Sequence, residues 1–492
     1  MAERTPGQAD AAGSQRGLTL LLSAPDRAAL LQQIDSLLAQ PADQPLRAVA
    51  SNALPHAARL AIAAPQPELR ARLEVARVRL ASLTRARLTL RNSGIYLGLD
   101  AAPLTPRRIA FLFPGQGSQH VGMLHELYQH TRTVRAWLEA LDAAYVQAGR
   151  PRPSALIYGG EQQPDSQPPA ALFSMERGAQ LSTAIGLALY DQITQLGIRA
   201  DALVGHNIGE HAAVLAAHAG GADDRATICA ELCRLGQASV GMEDPPVPEA
   251  MAAVSAFDRA ALDELVGRFP QRLFVAMDNC PHQQVLAGEA AAVTAAMQAI
   301  AAAGGICAPL PFVRAYHTPL FGNRAAKMAE WYHASGLTPA PRRGSAPPVY
   351  SCLTGRPIPT LPAAAAQVMA QQWVAPVNFR TTVEQLYAAG IDTFVEVGPD
   401  AKLTAFVEDI LRGRPHLAVS MLGAATQAGA PRNLAQIGHM LAALYAHGVK
   451  VDSARYAALV AGEEIGRLGD DEIGDWRLEI GALPRWLSLI HI

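Results

Sequence analysis

Ala202-Leu203-Val204-Gly205-His206-Asn207-Ile208-Gly209-Glu210 is the stretch from which the rest of the chain can be read. A short apolar run leads into G-x-N-x-G, and HAAVLAAHAG follows with helical spacing, which reads as strand, tight turn and helix. In a turn of this kind the two glycines relieve crowding, and the central side chain is held above the end of the sheet. The backbone N–H of the next residue, Ile208, then points where a developing oxyanion can sit, helped by the positive end of the helix. The pentapeptide alone fits an ordinary glycine-lined strand-to-helix turn equally well. Its central residue is Asn207, whose amide has no lone pair suited to attack and no hydroxyl for a base to deprotonate.

Upstream, the apolar strand Ile109-Ala110-Phe111-Leu112-Phe113 runs into Pro114-Gly115-Gln116-Gly117-Ser118-Gln119. This turn is neither GxGxxG nor a P-loop, but it exposes backbone N–H groups to an approaching ligand oxygen. The helix from about Gln180 to Leu196 leads through GIRAD into the elbow. Downstream, AMAAVSAF, a helix, RLFVAMDNCPHQQVLAG, a second helix and ICAPLPF alternate as a small ferredoxin-like insert that should wall a cleft. Beyond it come RAYHTP, a helix, PVYSCLTGRPI read as a strand, WVAPVNFRTTVEQLYAAG, and the strand-turn DTFVEVGPD. Residues 18 to about 104 show their own strand and helix periods, and a helix through HMLAALYAHGVKVD reads as a return toward that first unit.

Bulk properties narrow the function. The chain has 492 residues, half of them hydrophobic, enough for two or three folding units. Its 41 basic and 43 acidic residues leave a charge near −2, which argues against nucleic acid or a membrane surface as partner and for a small or carrier-borne substrate. Five cysteines without CxxC pairing suggest a reducing compartment and no metal site. The polar N-terminus shows no signal peptide and no run is long enough to span a membrane, so a cytoplasmic protein is expected.

FLFPGQGSQHVGM, GHNIGEHAA, RAYHTPLF, APVNFRTTVEQL and FVEVGPDAKLT, in this order, resemble the malonyl-CoA:acyl-carrier-protein transacylase family and the acyltransferase domains of polyketide synthases over residues 108 to 412. The resemblance implies an α/β fold: an α/β-hydrolase-like acyltransferase core with a small ferredoxin-like subdomain, preceded by a small α/β linker domain. The expected division is a disordered tail over 1–16, the linker domain over 17–107, the large subdomain over 108–249 and 316–412, the small one over 250–315, and a return segment over 413–492. It implies that His317 is the catalytic histidine, that the backbone carbonyl of Asn378 orients it, and that the N–H groups of Gln116 and Ile208 are the oxyanion donors. His206 would lie beside the nucleophile, Gln180 would be a pocket residue, and Tyr316 within RAYH would favour a malonyl-sized pocket.

Two departures stand out. Asn207 replaces the serine nucleophile, and Leu232 stands where the family's arginine would hold the malonyl carboxylate. Arg234 is two residues further on, a spacing that does not share a helix face. A transferase needs a nucleophile and gains from an arginine that holds the carboxylate, whereas a decarboxylase needs charge stabilised on the thioester oxygen and an unsupported carboxylate. The Asn207 side-chain NH2 is expected to be a third oxyanion donor, and His317 to bind the carboxylate or protonate the carbanion. Ketosynthase-like domains with glutamine for cysteine offer a parallel as chain-initiating malonyl decarboxylases. The expected function is thus a freestanding malonyl-acyl-carrier-protein decarboxylase that makes acetyl starter units for polyketide synthase modules. Its substrate would arrive on the phosphopantetheine arm of an acyl carrier protein, with no cofactor on the enzyme. The alternatives are an inactive docking or scaffold protein, a malonyl transferase carrying an inactivating Ser-to-Asn change, and an acyl-carrier hydrolase.

Overall fold

The computed structural model describes residues 18–41, 46, 56–100, 106–159, 170–218, 224–240, 247–334, 346–423 and 433–463. The proposed tail and the end of the return segment lie outside them. The first unit is an antiparallel sheet of β1 (Leu18–Ala24), β2 (Ala58–Ala63), β3 (Arg87–Leu90) and β4 (Ile95–Leu99), in the order β1-β2-β4-β3. β3 and β4 are strands that the sequence periods do not predict. Alternation sorts its faces: Leu20, Leu22, Leu60 and Ile62 pack against helices 27–38 and 69–81, while Leu21, Ala61 and Tyr96 join the main core.

Helix Asn433–His447 lies across that second face. Arg59, fully buried in β2, donates to the Ala446 carbonyl from Nε (3.1 Å) and Nη2 (3.0 Å), and pairs with Asp100. A guanidinium thereby caps the electronegative end of the helix. The return segment is pinned to the first unit at this point.

The central sheet is parallel throughout, with β5 (Ile109–Phe113), β6 (Ala202–Gly205), β11 (Val349–Tyr350), β12 (Thr393–Glu396) and β13 (Leu417–Ser420) in the order β11-β6-β5-β12-β13. Every residue of β5 is buried, as a strand covered on both faces requires. Phe113 pairs with Gly205, so the PGQG turn and the elbow leave the same edge of the sheet side by side. PVYSCLTGRPI is a strand only at Val349–Tyr350. Beyond that, Ser351 N–H bonds to the Arg356 carbonyl (3.0 Å) around Gly355, whose φ of +68° turns the chain away.

The insert forms β7 (Glu249–Ser255), β8 (Leu273–Cys280), β9 (Gln283–Glu289) and β10 (Ile306–Pro309), antiparallel in the order β10-β7-β9-β8, with helices 259–267 and 290–302. It is stitched to the large subdomain by Asp278 N–H to the Val377 carbonyl and Val377 N–H to the Ala276 carbonyl, each 2.9 Å, and by the Asp278–Arg380 ion pair at 2.7 Å.

Candidate active site

The elbow is set by what will not fit beside it. A Cβ on Gly205 would lie 2.1 Å from the Glu210 nitrogen, and one on Gly209 would lie 2.0 Å from the Phe113 carbonyl oxygen. Only glycine permits these approaches. Asn207 sits between them at φ +57°, with Gly209 N–H and Glu210 N–H bonded back to the carbonyls of His206 and Asn207 at 3.0 Å. Across the cleft His317 is also left-handed, at φ +61°, and its N–H bonds to the Trp373 carbonyl at 2.9 Å. The loop bearing it is anchored by buried Arg314, which pairs with Glu249 at 2.9 Å. Glu249 also accepts the Ala315 N–H at 2.7 Å.

The two side chains meet. Asn207 Nδ2 lies 2.5 Å from His317 Nε2, and His317 Nδ1 lies 2.7 Å from the Gln372 carbonyl. A carbonyl can only accept, so Nδ1 carries the proton and Nε2 is the acceptor for the Asn207 amide. Burial drives the His317 pKa down to about 4, which keeps the ring neutral. Asn207 Oδ1 in turn accepts the Ile208 N–H, the donor expected to meet a substrate oxygen.

These contacts correct three expectations. The carbonyl that orients His317 belongs to Gln372, not Asn378. Asn378 begins helix 379–388, where its carbonyl takes Thr382 N–H at 3.1 Å and Thr382 Oγ1 at 2.8 Å. The Asn207 NH2 faces His317 and not the oxyanion position, because Nε2 there is a lone pair that needs a donor. Neutral His317 therefore has no Nε2 proton to give a carbanion, nor any charge with which to hold a carboxylate.

The remaining residues divide. Gln116 is on the facing turn, which abuts the elbow: a Cβ on Gly115 would be 2.7 Å from that of Asn207. The Gln116 side chain donates to the Phe173 carbonyl at 3.1 Å. His206 reaches the small subdomain, with Nε2 at 2.7 Å from Asn279 Oδ1, and burial lowers its pKa. Tyr316 is buried among Phe312, Phe321 and Trp373. Gln180 is buried, donating to the Met175 carbonyl at 3.0 Å. Leu232 belongs to the buried face of helix 225–238, and Arg234 points outward onto Glu231 with its side chain 60% exposed. Neither offers a charge to the cleft. Among the described residues no group of three or more His, Cys, Asp or Glu could hold a metal ion, and no helix is long and apolar enough to cross a membrane.

The sequence reading missed Gln372, Trp373, Asn279 and Glu210. Glu210, buried just after the elbow, has its pKa raised to about 7 by burial and accepts from Ser351 Oγ (2.9 Å) and Cys352 N–H (2.6 Å). The signal for Gln372 and Trp373 was an amide and an indole ahead of APVNF. Nothing local tied them to a histidine 55 residues earlier.

Residues 110–449 match the acyl transferase domain family. The chain is 29% identical over 317 residues to malonyl CoA-acyl carrier protein transacylase of Bacillus subtilis (strain 168), covering 64% of this chain and 93% of that protein. It is 30% identical over 372 residues to the spectinabilin polyketide synthase system protein NorB of Streptomyces orinoci, covering 73% of this chain but 16% of that one. The acyltransferase domain from the second module of the salinomycin polyketide synthase superposes with a TM-score of 0.62 at 28% identity, covering 89% of this chain and 95% of that domain. A malonyl-transacylase solved in complex with its type II acyl-carrier protein shares the fold, with a TM-score of 0.54 at 23% identity over 67% of this chain and 99% of that one.

Proposed function

We propose a function for a chain that belongs to the acyl transferase domain family: decarboxylation of a malonyl thioester on an acyl carrier protein, yielding the acetyl thioester as a starter unit for polyketide synthase modules. The observation that carries it is the Asn207 amide lodged between His317 Nε2 and the Ile208 N–H, the span that a nucleophile and its acyl oxygen would occupy. Without a nucleophile there is no acyl-enzyme, and the chemistry left to such a site acts on the thioester while it stays on its carrier.

In that reaction the thioester oxygen takes the Ile208 N–H in place of Asn207 Oδ1, with the Gln116 backbone N–H as second donor. The bond from the α-carbon to the carboxylate breaks, its electron pair passes into the enolate, carbon dioxide leaves, and water protonates the α-carbon. Neutral His317 and apolar Leu232 give the carboxylate no counter-charge, so its ground state is not favoured over the enolate. His317 serves as the acceptor that fixes the amide.

One observation favours a second reading. Asn207 Oδ1 already satisfies the Ile208 donor, so the same contact suits a self-occluded protein that only docks carrier protein. Intact-protein mass spectrometry of malonyl carrier protein incubated with the enzyme decides. Loss of carbon dioxide is the expected result; loss of the whole acyl group means hydrolysis, and an unchanged carrier means docking alone. Asn207→Ser should place a hydroxyl at His317 Nε2 and give a covalent acyl adduct on this chain. If the serine variant decarboxylates as fast as the parent, the amide is not the device.

A further inference from the structure

The contacts that hold His317 close into a ring through a residue outside the cleft. Its imidazole is parallel to the Trp373 indole, with 6° between planes and 6.0 Å between centroids. Trp373 Nε1 reaches Tyr332 Oη at 3.2 Å, and Tyr332 Oη contacts Nε2 of His211, one helical turn past Asn207. An indole N–H can only donate, so the phenol accepts from Trp373 and gives its own proton to His211. The chain of contacts thus runs from Asn207 to His317, across the stack to Trp373, through Tyr332 to His211, and back along the elbow helix.

We propose that Tyr332 is a positioning residue for the Asn207–His317 pair: its hydroxyl fixes the indole on which the imidazole rests, and so the direction of His317 Nε2. Tyr332, Trp373 and His211 are all buried, and the phenol is the only polar group of its ring. A buried hydroxyl is costly unless it is hydrogen-bonded, and here it satisfies two other buried polar groups. Without it the indole keeps its packing but loses the bond that sets its rotation, while the Gln372 carbonyl at Nδ1 and the Asn207 amide at Nε2 leave the imidazole free to turn about the line between them. His211 is suited to accept, since burial lowers its pKa to about 3. The other titratable groups close by are Glu210 beside Tyr332 and His206 beside His317.

The consequence for turnover rests on the decarboxylase reading; the geometric claim does not. Tyr332→Phe in the full chain removes the hydroxyl and keeps the ring. By nuclear magnetic resonance of the histidine rings, with the His317 signal assigned from His317→Ala, the His317 pKa should rise from about 4 toward its ordinary value as the ring loosens and meets water. Turnover of malonyl carrier protein should fall about tenfold in kcat with KM unchanged, since a small misplacement of the amide that borders the reacting thioester costs rate and not binding. A packing role alone would lower Tm and move neither quantity. If Tyr332→Phe does not fold, Trp373→Phe keeps the stack and deletes the N–H, and should shift the same signal. An unchanged His317 titration in the folded variant overturns the proposal. A parent enzyme that leaves malonyl carrier protein intact defeats the decarboxylase reading, and the titration still decides the role of Tyr332.

Discussion

The elbow holds Asn207 and the helix over 225–238 holds Leu232, and the two regions constrain their residues for different reasons. At the elbow the backbone is tightly bound: Gly205 and Gly209 leave no room for a Cβ, and residue 207 must take a positive φ. The turn asks little of the side chain at 207, so an amide fits where a hydroxyl would. Along helix 225–238 the backbone is ordinary and the requirement is an apolar face, met by Ile228, Cys229, Leu232 and Leu235. Leucine at 232 completes that face. At the first place the side chain is free of the demands of the fold, and at the second it is part of the core.

The largest effect should come from breaking the elbow itself. Gly209→Ala puts a methyl 2.0 Å from the Phe113 carbonyl oxygen and should cost more than about 3 kcal/mol, seen as a lower urea midpoint. A variant as stable as the parent would show that the turn is not what holds Asn207. Next, Leu232→Arg puts a guanidinium at a position only 1% exposed on the packed face of helix 225–238 and should cost about 3 kcal/mol by the same measurement. If it were neutral, this helix face would open to the cleft, and the contrast between the two regions would fail.

A smaller effect separates the regions by pH. Burial raises the Glu210 pKa from 4.5 to about 7, so the native state holds that proton more tightly than the unfolded chain does. Its stabilisation is full below pH 4.5 and is lost as pH rises through about 7. Glu210→Gln should therefore lose less Tm than the parent between those limits. The paired comparison removes the opposite trend from His211 and His317, whose depressed pKa values cost stability as pH falls below 6.5. Identical Tm profiles would mean that Glu210 is not buried as the proton-bearing acid. Smallest of all, Arg234→Ala should change stability by less than about 0.5 kcal/mol and leave carrier-protein turnover untouched, because Arg234 is exposed and its ion pair among the described residues is with Glu231 on the same helix.

Much of the fold was legible because its signals are local. The apolar runs at 109–113 and 202–204, each ending in glycine turns, predict parallel strands feeding a site, and the insert's alternation predicts its βαββαβ order. The strands at 87–90 and 95–99 were missed: they are short, and helix 433–447 buries their sheet on its second face from more than 300 residues away. PVYSCLTGRPI is strand only at its start because the residues after Tyr350 turn to serve Glu210, which its apolar opening does not reveal.

At the site, sequence alone determined which groups are present: an amide without nucleophilic character at 207, a histidine at 317, and an uncharged leucine at 232. These are properties of covalent structure and survive any folding. Tertiary structure decided which way the groups face. Whether the Asn207 NH2 meets the histidine or the oxyanion position depends on the tautomer of His317. That tautomer is set by a carbonyl, Gln372, which lies 55 residues along the chain and is brought near only by packing. Hydrogen-bond direction is a relation between neighbours in space, and that is why it could not be read along the chain.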